Sequence, residues 1–213
     1  MTRTSEERER RRGTAAAVTP AAAGALAALA VVTAGWTPAA GQSPVPEAAR
    51  MVEVVRAVEG IDGMRSSLAR AVAEGEEAPD RETFRRVCRP VGQRARRVAD
   101  EHGWRFQQLS RRYRNPAHAP DAGAREVLRR MEGDPDLSSV WRRTRLEGRP
   151  GWRYYRRITV EPACLACHGA EEERPAFVRR AYPDDRAHGF EVGDLRGVYA
   201  VFVPADSVPA SGP

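Results

Sequence analysis

After residue 46, the chain shows the apolar spacing of an amphipathic helix. Between Glu47 and Glu76, apolar side chains recur every three or four residues, at Met51, Val54, Val55, Val58, Ile61, Met64, Leu68 and Val72. This period is that of one helix face turned toward a core. The segment is predicted to form one long helix, or two short helices because Gly60 and Gly63 weaken its middle.

A second helix is predicted directly after the first. Asp80 is a suitable N-cap, and the helix is expected to run to about Asp100. Pro90 lies inside it and is expected to kink or restart the helix, because proline has no N–H to donate. Gly103 marks its end.

The second half of the chain is predicted to mix strands with short helices. Aromatic, β-branched or alternating apolar residues predict strands within residues 104–113, 152–160 and 195–203. Turn residues at 115–121 separate the first strand from a short helix at 124–131. Helices followed by a mixed part with at least three strands predict an α+β fold with an antiparallel sheet.

The N-terminus resembles an export signal. A cluster of arginines at residues 8–12 precedes a compact apolar run at 21–36, and small residues follow at 39–41. The main domain is therefore expected to be periplasmic or extracytoplasmic, and to meet a membrane only through an uncleaved N-terminal segment. The predicted organisation is a signal peptide or anchor at 1–41, a linker at 42–46, the domain at 47–204 and a disordered tail at 205–213.

The charged residues exclude some classes of function. The chain carries 35 basic residues, all arginine, against 29 acidic ones, for a net charge of +6. Schiff-base chemistry on lysine is excluded, because the chain contains no lysine. No nucleic-acid partner is expected, since the sequence shows no recognisable fold motif of nucleic-acid binders.

Cys164-Leu165-Ala166-Cys167-His168 has the spacing of a covalent c-type haem attachment site. The two thiols add to the haem vinyl groups, and the histidine beside the second cysteine brings its ring to the iron. A structural zinc site would need a further pair of ligands, which the sequence lacks. A thioredoxin-like dithiol would need a βαβ unit, which is not predicted here. One such motif predicts one haem c.

Cys88 is left over once the haem has used two thiols. It is either a buried Cys packed as a small apolar residue or the second axial ligand of the iron. The residue chemistry alone leaves other candidates for that ligand, namely Met51, Met64, Met131, His102, His118 and His188.

Several stretches together resemble a family of PAS-like single-haem c-type cytochromes. Its members occur as exported proteins and as extracytoplasmic sensor parts of histidine kinases and chemoreceptors. The matching stretches are Val87–Pro90, Arg114–Asp121, Glu126–Leu128, Glu161–Gly169, Tyr182–Gly189 and Gly193–Gly197.

The resemblance implies a PAS-like fold with the haem packed against the sheet. It also implies an axial pair formed by Cys88 and His168. Arg114, Arg186 and Arg196 are candidates for contacts with the haem propionates, because the guanidinium group suits carboxylates.

These features predict a redox-responsive sensor or a low-potential electron carrier rather than an enzyme. An anionic sulfur ligand is expected to favour ferric iron, and its loss on reduction would open a site for a gas such as CO or NO. Either role needs a redox partner or a signalling partner. The alternative is a haem enzyme, peroxidase-like or nitrite-reducing, with an open iron site and His102, His118 or His188 as acid–base groups.

Overall fold

The computed structural model describes residues 48–75 and 79–206. Its helices and strands follow in the order α1 (Ala48–Ala73), α2 (Arg81–His102), β1 (Arg105–Leu109), α3 (Ala122–Gly133), β2 (Ser139–Leu146), β3 (Arg149–Thr159), α4 (Leu165–His168), α5 (Ala176–Ala181) and β4 (Leu195–Pro204). Single 3₁₀ turns lie at Pro116–His118 and Pro162–Cys164.

The four strands form one antiparallel sheet in the order β1-β4-β3-β2. β4 is central, since Val201 pairs with Phe106 of β1 on one side and with Tyr154 of β3 on the other. β4 is buried from Gly197 to Pro204, so both of its faces are covered. The predicted α+β fold with an antiparallel sheet is confirmed.

The helices cover opposite faces of the sheet. On one face α1 and α2 pack against β4 through a core that contains Val58, Val98 and Tyr199. On the other face α3 packs through Leu128 and Met131 against Ala200 of the same strand. Because alternate residues of a strand point to opposite faces, β4 supplies side chains to both cores.

The predicted limits of α2 are confirmed by its caps. The Oδ1 of Asp80 accepts a hydrogen bond from the Thr83 N–H at 2.7 Å. Gly103 ends the helix with φ at 65°, a left-handed conformation that glycine adopts without steric cost. The helix continues through Pro90 as one element, and α1 is likewise a single helix despite its two glycines.

Two strands differ from the prediction. β2 was not predicted, and β1 ends at Leu109, before Tyr113. Among the described strands, β2 lies at the edge of the sheet and pairs with β3 alone, through a tight turn in which Glu147 and Gly148 both have positive φ. Three of its eight residues are arginine and none of its side chains is fully buried, so the strand lacks the buried apolar run that marks β4.

The predicted export segment, the linker and residues 207–213 of the predicted tail lie outside the described residues. Within the part of the chain that the structure describes, no helix has both the length and the apolar character needed to cross a membrane.

Candidate functional site

The Cys-X-X-Cys-His motif forms a compact turn directly after β3. The Cys164 N–H donates to the Glu161 carbonyl at 2.9 Å, and α4 carries the motif to His168. Gly169 then ends the turn. A Cβ on Gly169 would lie 2.8 Å from the Leu165 carbonyl oxygen, so the chain can reverse here only because the residue is glycine.

A cavity of about 720 Å³ opens between α1, α2 and the sheet. This volume falls in the usual range of pockets for small molecules and cofactors. Cys164, Cys167 and His168 lie in its wall, and Cys88 of α2 lies in the wall of the same cavity. The structure therefore brings together all four residues that the sequence assigned to a haem. Much of the remaining wall is apolar and includes Ile61, Val72, Val91, Ala95, Phe106 and Ile158.

The His168 ring is fixed through its Nδ1 atom. Nδ1 lies 2.6 Å from the Ala187 carbonyl oxygen. A carbonyl only accepts hydrogen bonds, so Nδ1 carries the proton and Nε2 keeps a free lone pair. Burial, together with the nearby charges of Arg196 and Arg114, holds the pKa of His168 well below its usual value. A neutral imidazole with one committed nitrogen is the form that binds metals.

Asp185 stabilises the position of His168 indirectly, through the backbone of Ala187. Its side chain is 0% exposed, and its Oδ1 accepts a hydrogen bond from the Ala187 N–H at 2.8 Å. Its Oδ2 lies 3.1 Å from both Arg114 Nε and Arg174 Nη1. Arg114 in turn donates through Nη2 to the Cys167 carbonyl at 2.7 Å. This buried carboxylate is thus connected to the motif by two routes, through Ala187 to His168 and through Arg114 to Cys167.

These contacts keep Asp185 ionised. Burial alone would raise the pKa of the carboxyl group, but the Ala187 N–H and the two arginines outweigh burial and lower that pKa. Sequence reasoning missed both Asp185 and Arg174. The only available signal was that Asp185 falls within the Tyr182–Gly189 stretch that carried the family resemblance.

Arg65 of α1 holds the motif from a second side. Its Nη2 donates to Glu161 Oε1 at 2.9 Å, and its Nη1 lies 3.6 Å from Cys164 Sγ. Its Nε donates to Asp62 at 2.8 Å. The Ser66 hydroxyl also donates to Glu161. α1 is therefore joined to the motif by a polar network in addition to its apolar packing.

The structure brings two of the three arginines predicted for propionate contacts to the cavity. Arg114 and Arg196 line it. Burial, followed by the charge of Arg114, lowers the pKa of Arg196 to about 10. Arg186 is exposed and stacks on the Tyr113 ring at 5.2 Å, away from the described cavity wall.

Of the rival candidates for the second iron ligand, only His118 lies in the cavity wall among the described residues. Met131 is fully buried in the core under α3, and His102 stacks on Trp104 at 4.3 Å. His188 lies 3.8 Å from Glu171. The geometry therefore leaves Cys88 and His118 as the candidates for the second iron ligand.

Cys88 itself is exposed to solvent at the cavity. The protein atoms around the sulfur, and after them the nearby Cys167, raise the pKa of Cys88 to about 11. In the absence of a metal, the sulfur therefore stays protonated at neutral pH. Coordination to a metal ion removes that proton.

Comparison with known proteins gives the site its context. The model of the Tll0287-like family matches residues 25–204. The chain belongs to this family. A solved structure of a cyanobacterial protein, described as the heme-protein Tll0287, is 44% identical over 76% of this chain and 97% of that chain, with a TM-score of 0.66. No curated protein matches the chain.

Proposed function

We propose that this member of the Tll0287-like family binds one haem c and works as an exported, redox-responsive sensor or low-potential electron carrier. The observation that carries the proposal is the single cavity that gathers Cys164, Cys167, His168 and Cys88. The likeness to a protein described as a heme-protein supports it.

The residues of the cavity fit a covalently bound haem. Each thiol, Cys164 and Cys167, would add its S–H across one vinyl double bond, so that a carbon–sulfur bond forms and the proton goes to the other vinyl carbon. Such an addition needs no oxidant. Apolar side chains suit the macrocycle, and Arg196 supplies a half-buried cation for a propionate.

The wall next to Cys88 leaves room for a flat group. A Cβ placed on Gly92, one turn after Cys88, would meet nothing closer than the Arg96 side chain at 3.9 Å. Ala95 follows on the same side of α2. Two small residues beside Cys88 fit a helix face that lies against a ring system.

Bound haem supplies one-electron redox chemistry at its iron. The chain's own residues would tune that chemistry from two sides. His168 offers Nε2, while Ala187 and Asp185 fix its orientation. Cys88 offers a thiolate, an anionic ligand that stabilises ferric iron and lowers the reduction potential, whereas a methionine ligand raises it.

We also propose a PAS-like arrangement with the haem against the sheet. Phe106 of β1, Ile158 of β3 and Tyr199 of β4 line the cavity, so a group bound there would rest on the strand side chains.

Whether Cys88 leaves the iron on reduction would distinguish a sensor from an electron carrier. If the bound haem took up one electron, the Cys88 thiolate could accept a proton and would then no longer bind the iron, so that CO or NO could bind in its place. A sensor of this kind passes its state to a signalling partner. A carrier keeps both ligands and exchanges electrons with a redox partner. Addition of CO to the reduced protein distinguishes the two, because only the switch forms a CO adduct.

The test of the proposal compares two cavity variants. The protein is produced in a host that attaches haem c, and acid–acetone extraction and a pyridine haemochrome spectrum establish covalent attachment. Cys88→Ala is expected to change the ferric spectrum and raise the reduction potential. His118→Ala is the control, since it alters the rival ligand of the same wall, and it is expected to leave both unchanged. The opposite result would overturn the assignment of Cys88.

Export rests on the residues at 1–41, and on the attachment of c-type haem outside the cytoplasm. Fusion of residues 1–46 to alkaline phosphatase, which is active only after export, tests it. An inactive fusion that still accumulates in the cell would refute export.

His118 supports one alternative, a haem enzyme with an open iron site. It lies in the cavity wall, and burial lowers its pKa, so it is neutral and able to accept a proton. Single-turnover reactions with peroxide and with nitrite test this function. Rapid reactions that His118→Ala abolishes would favour the enzyme.

A further inference from the structure

α2 carries an unusual density of positive charge. Between residues 81 and 97 it has seven arginines and one acidic residue, Glu82. All seven arginines are exposed. We call the solvent-exposed sides of α2 that carry these residues the arginine face; it consists of Arg81, Arg85, Arg86, Arg89, Arg94, Arg96 and Arg97.

Arginines elsewhere in the described chain are commonly paired with carboxylates. Arg142 pairs with Glu126, Arg153 with Asp121 and Arg156 with Glu59. On the arginine face, the one ion pair with a described residue joins Arg85 to Glu82 at 3.4 Å, and both side chains are exposed.

The arginine face also opposes local helix stability. Arg81 and Arg85, Arg85 and Arg89, and Arg94 and Arg97 stand three or four residues apart, where like charges repel each other on a helix surface. Neither the hydrophobic cores nor the described wall of the cavity contains Arg86, Arg94 or Arg97. Packing within the domain therefore does not explain these three residues.

The arginine face adjoins the proposed haem pocket. Arg85, Arg89 and Arg96 line the cavity together with Cys88, and all four are exposed. The cavity is thus open to solvent along α2. A partner bound over this helix would come close to the group held in the cavity.

We propose that the arginine face docks the acidic surface of a redox partner protein. Arginine clusters raise the local concentration of an acidic partner and steer its approach, with gains in association rate of roughly 10 to 10³. Docking here would bring the partner's reduced centre to the open side of the cavity, and a haem held there by Cys164, Cys167 and His168 would be within reach of one electron from that centre. This electron step rests on the proposed haem function, whereas the docking does not.

An anionic membrane fits the arginine face less well. A helix that lies on a lipid surface needs exposed apolar side chains as well as cations. Among the described side chains, the exposed large hydrophobic ones are Val52 and Val192, and neither lies on α2. The described side chains of α2 thus supply charge without a large exposed apolar group, which favours a protein.

The experiment compares two charge reversals in the haem-loaded protein. Arg94→Glu with Arg97→Glu alters the arginine face away from the cavity. Arg129→Glu with Arg130→Glu is the matched control, because both of these residues are exposed on α3, which covers the other face of the sheet. The probe is a reduced acidic plant-type ferredoxin, with its binding measured by surface plasmon resonance and electron transfer by stopped flow. Both are measured at about 0.01 M and about 1 M salt, which screen charges beyond roughly 30 Å and 3 Å.

At low salt, the arginine-face variant is expected to lose at least about tenfold in association rate, and the control less than about twofold. High salt should remove the difference. Equal losses in both variants would show that only net charge matters and would overturn the proposal, as would no loss in either. A variant that keeps its ferredoxin association but loses its binding to phosphatidylglycerol vesicles would also overturn it, in favour of a lipid surface. Absence of the haemochrome signal would refute the haem function while leaving the binding result interpretable.

Discussion

Asp185→Asn removes the charge of the carboxylate behind His168 while keeping the size of the side chain. In the wild type, this carboxylate accepts hydrogen bonds from the Ala187 N–H, Arg114 and Arg174. An asparagine oxygen can still accept the bond from Ala187. The asparagine NH₂ group would then face two guanidinium groups, which also only donate.

The magnitude follows from burial. The Asp185 side chain is 0% exposed, and those of Arg114 and Arg174 are 12% and 9% exposed. Loss of one partner of a buried ion pair costs about 3–5 kcal/mol, because the remaining charge stays buried without compensation. Asp185→Asn is therefore expected to lower the free energy of unfolding by about 3–5 kcal/mol.

Urea unfolding measures this loss, and Asp184→Asn is the matched control. Asp184 is the exposed neighbour of Asp185, so its change is expected to cost less than about 0.5 kcal/mol. In the haem-loaded protein, Asp185→Asn should also shift the absorption spectrum, because a neutral amide oxygen accepts the Ala187 N–H bond more weakly than a carboxylate, and Ala187 then holds the His168 ring less firmly. Equal stability of the two variants, with unchanged spectra, would refute the role of Asp185.

The remaining predictions concern pH, a helix cap and the turn after the motif. The lowered pKa of Asp185 contributes stability that is present above the unfolded-state pKa of about 3.9 and is lost as the pH falls through the folded-state value. In urea titrations, the wild type should therefore lose more stability than Asp185→Asn on acidification below about pH 4, and parallel losses would contradict this. Asp80→Ala removes the α2 N-cap and should cost about 1 kcal/mol, whereas Asp80→Ser should restore most of it. Gly169→Ala forces a Cβ against the Leu165 carbonyl and should lower the yield of covalently attached haem. Gly133→Ala, whose Cβ meets nothing within 4 Å, should leave that yield unchanged.

The elements with strong local signals were predictable from the sequence. α1 and α2 carry helical apolar spacing or caps, and β4 is a long apolar run, so local pattern and tertiary packing agree. β2 escaped prediction because it lies at the sheet edge, where three arginines, two of them exposed, interrupt the apolar pattern. Tyr113 extended the prediction of β1 because an aromatic residue after a strand looks like part of it.

The residues of the candidate site also differ in whether the sequence alone reveals them. The motif of Cys164, Cys167 and His168 is local and visible in the sequence, whereas Cys88 stood out only as a leftover thiol and through the family resemblance. Asp185 carried no local signal of its own. Its role arises from contacts with Arg114, which is 71 residues away, and Arg174, which is 11 residues away, so only the folded chain displays it.

Because β4 is both central in the sheet and the last of the described strands along the chain, the sheet can be completed only after the rest of the domain has been made. β4 follows the other three strands along the chain, yet β1 reaches β3 only through it. Until the residues of β4 are available, β1 has no strand partner and both cores lack their shared wall. A nascent chain that has passed Cys164 to His168 but not yet added β4 would therefore hold these three side chains outside any finished pocket, open to the haem attachment proposed above. The sheet closes late, since the pairings of β4 with β1 and β3 join distant parts of the sequence, and the time before it closes is the time in which the thiols remain accessible.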